Sequence, residues 1–119
     1  MQQPLTPTAH GVADYVSSAT FAAAPSLINM PPVAAKLARS LGASYASLSA
    51  ATEYPLGVPQ MKLVPFPAHL AMDAFMAPAI AAAPWLFGFA DDKPARNFFL
   101  AMAAVTAVVT ALTQRRRAE

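Results

Sequence analysis

Residues 9–16, AHGVADYV, return at 68–75 as AHLAMDAF, with histidine and aspartate in the same places. His10 and His69 are 59 positions apart, and so are Asp14 and Asp73. The same offset lays AAAPSLI at 22–28 over AAAPWLF at 81–87, so Pro25 answers Pro84 and Leu27 answers Leu86. Several identities in one frame mark an internal duplication, which restricts the chain to two copies of one supersecondary unit. Further along, the register moves. KLAR at 36–39 resembles KPAR at 93–96 with an offset of 57, whereas laying Thr52 on Thr113 needs an offset of 61. Both registers stay open at this level.

The repeated unit reads as a helical hairpin. Four helical segments fit, roughly 9–28, 33–52, 67–87 and 95–113. Each approaches the length of about 20 residues that crosses a bilayer core. NMPP at 29–32 and ADDKP at 90–94 supply short turns within the hairpins. Between them, TEYPLGVPQMKLVPFP at 52–67 carries Pro55, Gly57, Pro59, Pro65 and Pro67, which exclude a continuous helix. Pro25, Pro78 and Pro84 interrupt the apolar runs, and a kink or an early helix end is expected near Pro25 and Pro84.

Composition decides where these helices reside. Hydrophobic residues make up 56% of the 119 and charged residues 12%, against about 25% charged in ordinary soluble domains. A domain this small has a high surface-to-volume ratio and needs polar residues to cover it in water. Mean hydropathy is +0.41. The outer surface is therefore expected to face lipid. The third and fourth segments are convincing spans. The first and second are weaker, being rich in alanine and serine. Small residues let helices approach closely in lipid, which places ARSLGASYASLSAA of the second segment inside the bundle. The expected fold is an all-α membrane protein with a single domain over 1–119. Its four transmembrane helices form two tandem hairpin repeats, about 9–54 and 67–113. Each hairpin returns to its starting side, so the pseudo-two-fold axis runs along the membrane normal.

That symmetry groups the polar residues. His10, Asp14, His69 and Asp73 fall at similar depth on the first and third helices, and Glu53 and Tyr54 end the second helix on the same side. Residues four apart share a helix face, so each repeat offers one His/Asp pair. Two imidazoles at the axis could ligate a metal or a porphyrin with carboxylates behind them, or the four groups could relay protons. The plainer reading, favoured here, is structural: each aspartate needs a donor in lipid, and a histidine supplies it. No metal or cofactor is assigned. Glu53 could add a third carboxylate, but it reads better as an interfacial residue beside Tyr54. Trp85, with Phe87 and Phe89, reads as the aromatic belt at the opposite end. Met61, Met72 and Met76 read as packing residues. Lys36, Arg39, Lys93 and Arg96 sit near the starts of the second and fourth helices and snorkel to the interface. Asp91 and Asp92 are near enough to partner Lys93 and Arg96. Arg115, Arg116 and Arg117 follow the last span as a membrane-edge anchor.

Lys62 and the three terminal arginines lie on one side. They equal in number the four basic residues on the other side. The dense arginine cluster and the longer linker favour that first side as cytoplasmic, with both termini inside. No basic region precedes the first apolar stretch, so a cleaved leader is not expected. There is no cysteine, which excludes disulfides, thiolate metal sites and cysteine nucleophiles. No phosphate-binding loop, nucleophile elbow or zinc motif is present. Enzyme activity is accordingly not expected. The net charge of +2 gives no nucleic-acid footprint.

A histidine and an aspartate four apart, then APWLFGF at 83–89 and a second apolar helix, with TEYPLG at 52–57 between the copies, resemble the SPW-repeat family. These are small bacterial integral membrane proteins. The resemblance covers roughly 9–113. The second copy reads Ala83-Pro84-Trp85 and the first Ala24-Pro25-Ser26, so the named serine is missing from both and the tryptophan from one. The resemblance implies a repeat of two transmembrane helices in the bacterial inner membrane, and no particular biochemical activity. The expected role is that of a structural or accessory subunit. Its partners would be the bilayer and other membrane subunits, a respiratory or photosynthetic complex among the candidates. The alternative is a ligand-, metal- or proton-handling protein built on the His/Asp cluster.

Overall fold

The computed structural model describes residues 5–53 and 63–113. Among these residues there are four helices: α1 Pro7–Leu27, α2 Pro32–Ala51, α3 Phe66–Leu86 and α4 Lys93–Leu112. Proline occupies the first or second position of every one. Its missing N–H belongs to a group that has no helical partner there, and its fixed φ suits the first turn. Thr6 and Asp92 complete two of these starts, their side chains accepting from Ala9 N at 3.1 Å and Ala95 N at 3.0 Å. Asp92 thus caps α4 rather than serving only as an ion-pair partner for Lys93 or Arg96. The helices run through Pro25, Pro78 and Pro84, and α1 and α3 end two residues past Pro25 and Pro84.

α1 packs along α2, and α3 packs along α4. Within the first hairpin the approach is close at Gly42. A Cβ there would stand 2.8 Å from the Ser18 carbonyl oxygen and 2.9 Å from Ala22 N. The small residues of α2 are only partly interior. Ala38, Gly42 and Ser49 are buried, while Ser40, Ala43, Ser44 and Ser47 are exposed.

Burial settles the register of the repeat. At an offset of 59, His10, Gly11, Asp14, Ser18, Phe21 and Ala24 of α1 meet His69, Leu70, Asp73, Ala77, Ile80 and Ala83 of α3, and all twelve are buried. Between α2 and α4 the matching offset is 61. Ala34, Ala38, Gly42 and Ser49 meet Ala95, Phe99, Ala103 and Thr110, again all buried. The KLAR/KPAR likeness at 57 is therefore a coincidence of composition. α2 starts at Pro32, which moves Lys36 and Arg39 into its second and third turns, whereas Lys93 and Arg96 lie in the first turn of α4.

The linker holds an element the sequence did not announce. Thr52–Glu53 (β1) pairs in parallel with Val64–Pro65 (β2), with Thr52 opposite Val64. Leu5 forms the equivalent bridge with Thr113, the pair reached by adding 59 to one partner and 61 to the other. The entry of each repeat is thus tied to the exit of the other, which closes the two hairpins into a ring at one end.

One apolar core draws on all four helices: Phe21, Ala34, Ala38, Tyr45, Ile80, Ala83, Ala95, Phe99, Met102 and Ala103, with Phe89 from the second turn. Phe89 packs on Phe99 at 5.0 Å between ring centroids, so it belongs to the core and not to an interfacial belt. Trp85 and Phe87 are exposed, at 59% and 51%. α3 and α4 are each long and apolar enough to cross a membrane, with mean hydropathies of 1.2 and 1.6. Of those apolar stretches 39% and 28% are buried, so each also presents apolar residues on the outside of the bundle. α1 and α2, diluted by alanine and serine, do not reach that hydropathy.

Candidate functional site

The ring-closed end carries the polar site. His10 and Asp14 occupy the first and third turns of α1, and His69 and Asp73 the same turns of α3. The four side chains meet. His10 Nε2 lies 2.8 Å from Asp73 Oδ2, and His69 Nε2 lies 2.6 Å from Asp14 Oδ2. The contacts within each helix are longer, 3.2 Å for both His10–Asp14 and His69–Asp73. Each histidine therefore reaches more closely for the aspartate of the other repeat than for its own. The histidines are fully buried, Asp73 is 1% exposed and Asp14 8%. Phe66 closes the cluster, edge-on to His10 at 5.6 Å and stacked with His69 at 6.0 Å.

The outer nitrogens are held equally symmetrically. His10 Nδ1 is 2.8 Å from Thr113 Oγ1, and His69 Nδ1 is 2.8 Å from Thr52 Oγ1. Both hydroxyls already donate to a helix carbonyl, Thr113 to Val109 and Thr52 to Leu48. Each threonine oxygen must then accept, and each histidine donates through Nδ1. That assigns the tautomer: Nε2 of both rings is the nitrogen that faces the carboxylates. A short Nε2···Oδ2 contact requires one proton between its two atoms. Whether those protons rest on nitrogen or on oxygen, the cluster sums to zero charge. Neutrality is what makes such a group tolerable away from water, where an unpaired ion is costly.

Beside the cluster lies a cavity of about 10 Å³, close to the least volume that accepts one water. His10, Asp14, Asp73, Tyr45, Thr106 and Thr110 contribute to its walls. Tyr45 Oη, Thr110 Oγ1 and Asp73 Oδ1 are buried with no hydrogen-bond partner among the described residues, as is Ser49 Oγ, the repeat mate of Thr110. The region is thus richer in polar groups than the tetrad alone.

Of the residues singled out from sequence, His10, Asp14, His69 and Asp73 converge. Glu53 contributes backbone to β1, and its side chain lies outside the described residues, as do Tyr54, Arg115, Arg116 and Arg117. Lys36, Arg39 and Lys93 are exposed and Arg96 half-buried. With Trp85 they occupy the opposite end of the helices from the tetrad. Sequence reasoning missed the roles of Thr52, Thr113 and Tyr45. A signal for the threonines existed, since the offset of 61 that superposes them is the true register of α2 on α4.

Compared with protein families, curated proteins and solved structures, the chain shows no match. The reading of the site therefore rests on its own geometry.

Proposed function

We propose that the chain is a four-span integral membrane protein of the SPW-repeat kind, acting as a structural or accessory subunit in the bacterial inner membrane. Both hairpins cross the bilayer and return, and both termini lie at the cytoplasmic face with the tetrad. One observation carries this reading: large apolar side chains cover much of the outer surface while an ionisable cluster is buried inside. The ionisable tetrad is buried, while Val12 and Val16 on α1, Met72 and Phe75 on α3, and Leu100, Val105, Val108 and Leu112 on α4 stand exposed. Fully burying such a side chain is worth about 1.5–3 kcal/mol, of which water forfeits the exposed share, whereas lipid accepts them. The tetrad supplies cross-repeat polar contacts that hold helices together where hydrophobic drive between them is absent. The exposed small residues of α2, Ser40, Ala43, Ser44 and Ser47, give a face on which a helix of a neighbouring subunit can pack closely.

Alkaline carbonate extraction of expressing cells tests the membrane half of this reading, and native size in mild detergent tests the subunit half. The protein is expected to stay with the membrane and to run as a larger assembly with defined co-purifying membrane proteins. Release into the supernatant contradicts the first half. A monodisperse monomer with nothing bound contradicts the second.

A further inference from the structure

We propose that the His10/Asp14/His69/Asp73 tetrad is a binding site for one divalent transition-metal ion of the zinc type, with His10 Nε2, His69 Nε2, Asp14 Oδ2 and Asp73 Oδ2 as its ligands. The ion would occupy the centre of the same four groups whose polar contacts join the two repeats. The tetrad's own geometry carries the assignment, independent of the membrane placement.

Three observations converge. The first is spacing. The four ligand atoms lie within 4.8 Å of one another, and the N···O edges around them measure 2.6, 2.8, 3.2 and 3.2 Å. A tetrahedral zinc with bonds of about 2.0–2.1 Å needs neighbouring ligand atoms about 3.3 Å apart. Two of the four N···O edges already match, the two cross-repeat edges need to open by about 0.5 and 0.7 Å, and the N···N and O···O pairs, up to 4.8 Å apart, close toward the same spacing as the ion draws the ligands in. The second is orientation. Metal-bound histidines ordinarily donate their other N–H to an oxygen, which fixes the ring and aims the free lone pair at the ion. Thr113 and Thr52 perform that service at 2.8 Å each. The third is the unused oxygen. Asp73 Oδ1 is buried with no hydrogen-bond partner among the described residues, so a second bond from this carboxylate to the ion would break no existing hydrogen bond.

Charge closes the account. The metal-free tetrad is neutral with two shared protons. Two neutral imidazoles, two carboxylates and one divalent cation are also neutral. One ion entering therefore displaces two protons, and no net charge is buried. The nitrogen and carboxylate donors favour zinc or cobalt over calcium or magnesium, which prefer all-oxygen shells. The remaining titratable wall residue, Tyr45 on α2, faces the adjacent cavity. α4 contributes Thr106, Thr110 and Thr113 there.

The test uses the full chain purified in mild detergent, stripped with a chelator and titrated with cobalt(II) alone. One cobalt per chain is expected, with the intense visible bands of tetrahedral coordination, displaced stoichiometrically by zinc. Failure of the wild-type chain to take up cobalt, or weak octahedral bands only, overturns the proposal without any variant. Thr113→Val, which keeps all four ligands, is expected to weaken binding about 10–100-fold with the tetrahedral spectrum retained. His69→Gln is expected to abolish the tetrahedral bands. Unchanged tetrahedral cobalt binding in a folded His69→Gln protein places the ion elsewhere and overturns the assignment. Carbonate extraction reads membrane insertion separately, so failure of one reading leaves the other standing.

Discussion

Thr52 and Thr113 carry more of the site than their chemistry suggests. Each donates its hydroxyl to its own helix and accepts from a histidine of the other repeat, so each fixes one imidazole tautomer. Replacing either by valine keeps shape but leaves a buried Nδ1–H without an acceptor, which costs about 1–3 kcal/mol. Because the two environments are repeat mates, Thr52→Val and Thr113→Val are expected to lower stability by similar amounts in a detergent-denaturation titration. Loss confined to one of them would contradict the symmetry of the site. The histidines and aspartates were legible as candidates from their spacing. Their cross-repeat pairing was not, because helix periodicity speaks only of neighbours on one helix. The threonines were visible as a possible superposition, but a hydroxyl at a helix end has many uses, and only the meeting of two helices selects one.

At the scale of elements, the hairpins are twins with unequal spacing. Gly42 in α2 has Ala103 as its mate in α4, and Ala38 has Phe99, so the two copies fill their shares of one core differently. Gly42→Ala sets two effects in opposition. Helix propensity gains about 1 kcal/mol, and overpacking costs about 1–3 kcal/mol. The clash wins here because the new Cβ would meet backbone atoms, Ser18 O at 2.8 Å and Ala22 N at 2.9 Å, which cannot rotate away. A lower thermal midpoint is expected by circular dichroism; an unchanged or higher one would mean that α1 and α2 are not so closely packed. The helices themselves were readable, since four apolar stretches of about span length, divided by short turns and a proline-rich linker, leave few alternatives. Their starts fell one to two residues earlier than apolar content suggested, because the prolines that look like breakers are first-turn residues. The parallel pairing of Thr52–Glu53 with Val64–Pro65 was not readable. Two-residue strands carry no periodicity, and this one is imposed by the ring closure of the repeats.

For the whole molecule, the duplication does most to determine the architecture. If both hairpins cross a bilayer, the turns at Asn29 and Asp91 must emerge together, on the side opposite the inter-repeat segment near Leu63. If only α3 and α4 cross, Asn29 must share a side with Leu63. The chain has no cysteine, so single-cysteine reporters need no background removed, and Asn29, Leu63 and Asp91 are all exposed. The most direct test is labelling of Asn29→Cys, Leu63→Cys and Asp91→Cys in intact cells with a membrane-impermeant maleimide. The four-span reading predicts that Asn29→Cys and Asp91→Cys label together from outside and that Leu63→Cys labels only after the membrane is opened. Labelling of Asn29→Cys in step with Leu63→Cys, and opposite to Asp91→Cys, would contradict it.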